Sequence, residues 1–253
     1  MSLPTFYSQI SVQGLDSEKF LQGQLTCDLK RATLDQAILG AHCNPKGRIL
    51  SLFFLTKAAT GFDLFLPSDL LDIAYDHFKK YGQFFKQVVL KKVEKVEGFL
   101  PFVKNLDSSF RWDDNPRLAH IEAGLPLIYA ATSGLFLPHD INLPQLGGVS
   151  FDKGCYTGQE IVARMQNLGR PKQHLYQLTF DAQQETFAPG NKIYASERLE
   201  QEVGMIVDVA QKENQIIALA SLKDAILMEE GPVWNLDLII KKTKCLIHIL
   251  KLE

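Results

Sequence analysis

The sequence predicts an α+β body followed by a small antiparallel β-domain, a barrel or a sandwich, and three observations carry that reading. From Ser8 to Val93, apolar runs of strand length alternate with two stretches of helical period. Beyond Gly169-Arg170-Pro171 the chain turns to short β-prone runs separated by Gly, Pro and Asn. Between them lies GGVSFDKGCYTGQEIVAR, residues 147–164, which packs a cysteine, a lysine, a glutamate and four glycines into one segment. The expected organisation is a body over residues 1–170, which could hold two interleaved subdomains, and a β-domain over 171–253.

A first strand is expected over Ser8 to Val12. Asp16 then caps a short helix through Glu18, Phe20, Leu21 and Leu25, whose apolar positions follow a helical period and which ends near Thr26. Strands follow over Ala37 to His42, Arg48 to Thr56 and Phe62 to Leu66. Asn44-Pro45-Lys46-Gly47 lies between the first two as a hairpin signal, because proline presets φ and glycine supplies the permissive position. Pro67-Ser68-Asp69 opens a helix with Leu70, Ile73, Ala74 and Phe78 on one face. Its acids stand in the first turn and Lys79 and Lys80 in the last, which complements the dipole, and Gly82 closes it. A strand over Val88 to Val93 returns to the same sheet, and the charged KKVEKVE run reads as a solvated edge.

Between Gly98 and Gly148 the pattern loosens around one helix, Pro116 to Ala123, and LPHDINLPQLGG reads as irregular, either a site-bearing loop or plain connection. The β-domain strands are expected over His174 to Phe180, Lys192 to Ala195, Gly204 to Ala210, Gln215 to Leu222, and Leu236 to Leu250 in one or two pieces.

Composition narrows the function. A formal net charge of −2 argues against a polybasic protein, so tight direct nucleic-acid binding is not expected. The four cysteines, Cys27, Cys43, Cys155 and Cys245, form no CxxC pair and no zinc-type spacing with histidine, so no metal site is expected. The start MSLPTFYSQ lacks the charged and apolar regions of a secretory signal, and no apolar run reaches the roughly 18–20 residues of a membrane span. A reducing, cytoplasmic setting follows as the expectation.

The chemistry is expected at residues 147–164. Gly154 and Gly158 bracket Cys155-Tyr156-Thr157, a spacing that lets the backbone turn sharply and approach a ligand. Thr157 and Glu160 have capping-box spacing before a helix in which Ile161 and Met165 form an i, i+4 apolar pair. Cys155 would then precede a helix N-terminus with Lys153 nearby, both of which favour a thiolate. The plain alternative is a small, inert, buried cysteine beside a tight turn.

The segment DKGCYTGQE resembles the signature of the YgfZ family. FLQGQLTCDL (20–29), HCNPKGRILS (42–51) and FLPHDINLPQLGGVSFDKGCYTGQE (136–160) resemble further blocks of that family in the same order, and VGMIVD (203–208) does so more weakly. The resemblance implies an aminomethyltransferase-like folate-binding body with a ferredoxin-like layer, tetrahydrofolate or a one-carbon-substituted form as cofactor, and a C-terminal antiparallel β-barrel. It also implies a link to iron–sulfur enzymes, such as tRNA-modifying methylthiotransferases, as partners. On this resemblance Cys155 is the thiol the family needs, with Lys153 beside it, and Gly154, Tyr156, Gly158, Gln159 and Glu160 fall on signature positions.

Glu160 has two competing roles, capping the helix or accepting the amino-pyrimidine hydrogens of a pterin. Arg164, one turn on, is a ligand neighbour or a surface arginine. His42, Cys43, Asn44 and Lys46 form a polar cluster beside the hairpin turn, which the fold relation places near the folate cavity. Gln24 and Asp28 are further candidates there, with a helix-end role as the alternative. One departure stands out: the aminomethyltransferases carry acids in the strand after this turn, and Gly47 to Leu52 has none. Positioned acid–base groups contribute about 10² to 10⁴ in rate, so glycine cleavage is not expected of this chain. A folate-dependent one-carbon, aminomethyl or methyl transfer would need its carboxylate from elsewhere, with Asp28 as the candidate.

Overall fold

The computed structural model describes residues 7–94, 96, 115–181, 186–195, 201–227, 233–240 and 243–252. The aromatic stretch expected to be irregular from Gly98 to Asp114 lies outside them, as does part of the KKVEKVE run. The chain divides into two compact units. One comprises Met1–Asp114, Ile128–Pro138 and Leu143–Leu168, the other Asn115–Leu127, His139–Asn142 and Gly169–Glu253.

The first unit is built on a five-stranded sheet. Its elements in chain order are β1 (Tyr7–Gln13), α1 (Ser17–Gln22), β2 (Ile38–Cys43), β3 (Ile49–Ala58), β4 (Gly61–Pro67), α2 (Leu71–Gly82) and β5 (Val89–Val93). The strand order is β2-β3-β4-β1-β5 and every neighbouring pair is antiparallel. Strands β1 and β3 therefore run parallel with β4 between them, and β4 and β5 run parallel with β1 between them. These two interleaved split β-α-β units are the ferredoxin-like arrangement that the resemblance implies, with β2 added at one edge.

Aromatic rings fill the layer between helices and sheet. Phe20 of α1 and Phe53 of β3 both meet Phe78 of α2, with centroids 6.0 and 5.6 Å apart, and all three are fully buried. One expected core residue is elsewhere: Ile73 is exposed and Leu71 is buried in its stead. A 3-10 turn over Ser68–Leu70 precedes α2, which rotates the helix so that Leu71, Ala74, Phe78 and Gly82 face the sheet.

The second unit is a closed barrel. Strands β6 (Gln173–Asp181), β7 (Lys192–Ala195), β8 (Glu202–Lys212), β9 (Gln215–Lys223), β10 (Val233–Ile240) and β11 (Thr243–Lys251) follow in the order β10-β11-β6-β9-β8-β7, and β7 pairs with β10 to close it. Closure leaves no sheet edge to protect. A helix, α3 (Pro116–Glu122), packs outside the barrel, its start capped by Asn115, which accepts the Leu118 N–H at 3.1 Å. A bulge in β8 between Ile206 and Asp208 shifts the inward phase so that Ile206 and Val209 both enter the barrel core. Asp208 instead meets Arg117 of α3, Nε to Oδ1 2.6 Å.

Two buried histidines make the fold acid-sensitive. Burial pulls the His42 imidazole down to about 3, assisted by His77, and burial alone does the same for His120. Both stay neutral in the folded chain while the unfolded chain takes up a proton near its ordinary value. Their stabilising contribution is thus present above pH 6.5 and lost as pH falls toward 3, at about 1.4 kcal/mol per pH unit for each residue. Urea unfolding should show this loss between pH 6.5 and 5. A His42→Phe variant should show a flatter dependence for the first unit, and an equal slope in the two proteins would refute the assignment.

Candidate functional site

The turn at residues 151–158 is held against the loop that follows α1. Lys153 is half-buried, and its ammonium donates to the backbone carbonyls of Gln22, Leu25 and Cys27 at 2.8, 2.7 and 2.8 Å. Three hydrogens thus meet three acceptors. The same ammonium lies 5.3 Å from the centre of the buried Tyr156 ring. Burial pulls Lys153 down to about 8 against the upward pull of Cys27 and Asp28. Lysine and thiol diverge at this turn: Lys153 reaches inward, whereas Cys155 is exposed.

That exposure removes the reading of Cys155 as a small buried core residue. The other three cysteines are buried, and burial pushes the thiols of Cys27 and Cys43 up to about 11 and about 12, with Lys153 and Arg31 drawing Cys27 partly back. Cys155 is the one exposed thiol of the four.

The helix α4 (Gln159–Asn167) begins one residue later than the capping-box pattern implies. Its N-cap is Gly158, in the left-handed region at φ 84°, with no side-chain cap, so Thr157 and Glu160 do not form the expected box. Close approach is the reason: a Cβ on Gly158 would lie 2.6 Å from the Asn44 carbonyl oxygen and 3.0 Å from Gly47 Cα. The hairpin turn and the helix start thus interlock, with Ile161 over Gly47. Val162, not the expected Ile161–Met165 pair, is the fully buried residue of α4.

Freed of the cap, Glu160 stands exposed in the first turn with no hydrogen bond among the described residues. Gln159 is half-buried and Arg164 exposed, both likewise without a side-chain partner among the described residues. Gly154 has no positive φ and nothing within 4 Å of where a Cβ would sit. The chain itself does not require glycine there.

The hairpin cluster separates into scaffold and surface. His42 and Cys43 are fully buried, and the His42 ring lies 3.9 Å from that of His77, so neither faces solvent beside the turn. Asn44 organises the turn, its Oδ1 accepting the N–H groups of Lys46 at 2.9 Å and Arg48 at 3.1 Å. Lys46 is exposed at the tip. Asp28 caps the 3-10 turn Leu29–Arg31 by accepting the Lys30 N–H, and it also accepts the Gln22 amide. Burial pushes its carboxyl up, but those hydrogen bonds with the Lys30 and Lys153 charges hold it below the usual value. Gln24 differs from its neighbour: its Oε1 is buried with no partner among the described residues, as is the Tyr156 hydroxyl.

Residues that sequence reasoning passed over hold the site together. Thr26 is fully buried, donating to the Gly148 carbonyl at 2.6 Å and accepting the Ala41 N–H at 2.9 Å. The Lys153 cage consists of backbone carbonyls, which carry no residue signal.

The chain matches no protein-family model. Among solved structures it is similar to glycine cleavage system aminomethyltransferase T from Bartonella henselae, with TM-score 0.68 and 15% identity over 98% of this chain and 84% of that one. This chain has an aminomethyltransferase-like fold. At that identity the likeness is one of fold, and it embraces both the ferredoxin-like layer and the barrel. Among the described residues no helix is long and apolar enough to cross a membrane, and no group of three or more metal-ligating side chains converges.

Proposed function

We propose that this chain binds tetrahydrofolate, or a one-carbon-substituted form, and supports the assembly, repair or turnover of iron–sulfur enzymes, among them tRNA-modifying methylthiotransferases, with Cys155 as its reactive thiol. The carrying observation is the exposed Cys155 on a turn whose flanking residues are anchored inward, followed five residues on by the exposed Glu160, which the Gly158 cap leaves free. The left-handed Gly158 turns the chain between them. The residues suit a folate: Glu160 offers two acceptor oxygens to an amino-pyrimidine edge, and the Gln24 Oε1 and Tyr156 hydroxyl are buried polar atoms awaiting partners. Open space at Gly154 lets a ligand approach the backbone, and Gln159, Arg164 and Lys46 supply polar groups around it. A bound folate would supply a one-carbon carrier beside the thiol. A cytoplasmic setting accords with a thiol kept reduced.

The transferase alternative is weaker on this geometry. Its carboxylate was to come from Asp28, and that side chain is engaged as a cap and by the Gln22 amide. The position after the hairpin turn where an acid would serve carries Ser51, which is buried and 3.5 Å from His42 Nδ1.

Calorimetric titration with tetrahydrofolate tests the proposal first, and absence of binding would sink it. Cys155→Ala should bind tetrahydrofolate with affinity within about threefold of wild type, since a rim thiol contributes little binding energy. The same variant should fail to restore iron–sulfur enzyme activity in cells lacking the protein. Full restoration would show that the thiol is dispensable.

A further inference from the structure

The five-residue turn from Lys153 to Thr157 is pinned at both ends to one loop. At its start the Lys153 ammonium binds the carbonyls of Gln22, Leu25 and Cys27, and at its end the Thr157 N–H donates to the Gly23 carbonyl at 3.2 Å. Between the pins, a Cβ on Gly154 would meet nothing within 4 Å, and Cys155 is exposed. The loop that receives both pins is itself braced. Thr26 ties it to Gly148 and Ala41, the Gln22 side chain binds the Leu29 N–H at 3.1 Å and Asp28 at 3.0 Å, and Leu25 bridges to His42.

We propose that Lys153 is a positioning residue: its ammonium, caged by three carbonyls of the loop after α1, fixes the turn that presents the Cys155 thiol, and it is not a hydrogen-bond donor to that thiol. An ammonium whose three hydrogens are all engaged by carbonyls on the inner side of the turn has no hydrogen left to direct at a thiol on the outer side. The cage is also selective for a point-like cation. A planar guanidinium cannot send three donors into three converging oxygens, so Lys153→Arg is not a conservative change here. The inference rests on the reading of Cys155 as the reactive group and gives that group its placement.

The test uses the full-length protein without folate. Cys27, Cys43 and Cys245 are buried, so a methanethiosulfonate nitroxide labels Cys155 selectively. In wild type the label should report a slow, ordered turn. In Lys153→Met its rotational correlation time should shorten by about threefold or more, while Lys153→Gln, with two donors, falls between. The pH midpoint of Cys155 alkylation by iodoacetamide should stay within about 0.3 units of wild type in both variants, whereas removal of a cation hydrogen-bonded to the thiolate raises it by about one unit or more. Unchanged label mobility, or a midpoint raised by that amount, would overturn the proposal. A fall in melting temperature accompanies either mechanism and is not the readout. If Lys153→Met does not fold, Lys153→Gln decides by the same two measurements. Failure of the tetrahydrofolate titration would remove the folate reading and leave these results standing.

Discussion

Arg117→Met should lower the urea midpoint of the barrel-containing unit by the equivalent of about 3–5 kcal/mol, the usual cost of stripping the cation from a buried carboxylate. Asp208 has a side chain with no solvent exposure, and Arg117 Nε lies 2.6 Å from its Oδ1, the oxygen that also accepts the Val209 N–H at 2.8 Å. Removing the arginine leaves the negative charge where water does not reach. The reverse change, Asp208→Asn, should cost less, about 1–3 kcal/mol, because the Arg117 side chain is 30% exposed and its charge can turn toward solvent. The double variant Arg117→Met/Asp208→Leu should recover much of the loss, since an apolar pair carries no desolvation penalty. An Arg117→Met protein as stable as wild type would mean that the pair is not what joins α3 to β8. The second ion pair along the same contact, Lys212 to Glu122 at 2.6 Å, is exposed, and Lys212→Met should change stability by less than about 1 kcal/mol.

The two ion pairs also show where sequence reading reaches its limit. The strands of the barrel were legible because each alternates or runs apolar between turn residues, and all of those expected are present. The partner of Asp208 was not, because an unbroken β8 puts Ile206 and Asp208 on the same face, and only the bulge at Val207 turns the acid away from the core. No residue type announces that bulge. The α+β layer was legible from two helices separated by apolar runs, and its ferredoxin-like order only through the family resemblance. The exact start of α2 was not, since a 3-10 turn has the same composition as a first helical turn.

At the candidate site, residue chemistry was legible and direction was not. Cys155, Lys153 and Glu160 stand out by type and spacing, yet nothing in DKGCYTGQE says that the lysine turns inward to backbone carbonyls while the cysteine faces out. Likewise the Thr157–Glu160 spacing obeys a local capping rule that tertiary contact overrides, because the hairpin turn at Asn44–Gly47 presses on Gly158 and makes it the cap. Gln24 and Asp28 were equivalent as sequence and are distinct in the fold, one orphaned and the other spent on a cap.

Gly158→Ala should therefore be among the most damaging single changes in the first unit, at about 2–5 kcal/mol. Two terms contribute. A left-handed conformation costs a non-glycine residue about 1–2 kcal/mol, and a new methyl forced into packed surroundings adds about 1–3 kcal/mol. The second term cannot relax away, because the Cβ would meet the Asn44 carbonyl oxygen at 2.6 Å, Gly47 Cα at 3.0 Å and Cys43 Cβ at 3.2 Å, and Cys43 is fully buried. Gly154→Ala is the matched contrast, with no positive φ and no neighbour within 4 Å, so its stability should stay within about 0.5 kcal/mol of wild type. Thermal unfolding of the two variants checks both numbers, and equal losses would mean that the turn, not the helix–hairpin contact, sets the effect. Tetrahydrofolate titration of the Gly154→Ala protein then separates scaffold from site. A glycine that the fold does not need but whose methyl blocks the ligand should weaken binding by about tenfold or more at unchanged stability, the equivalent of about 1.4 kcal/mol. Undiminished binding would place the ligand away from the backbone of this turn.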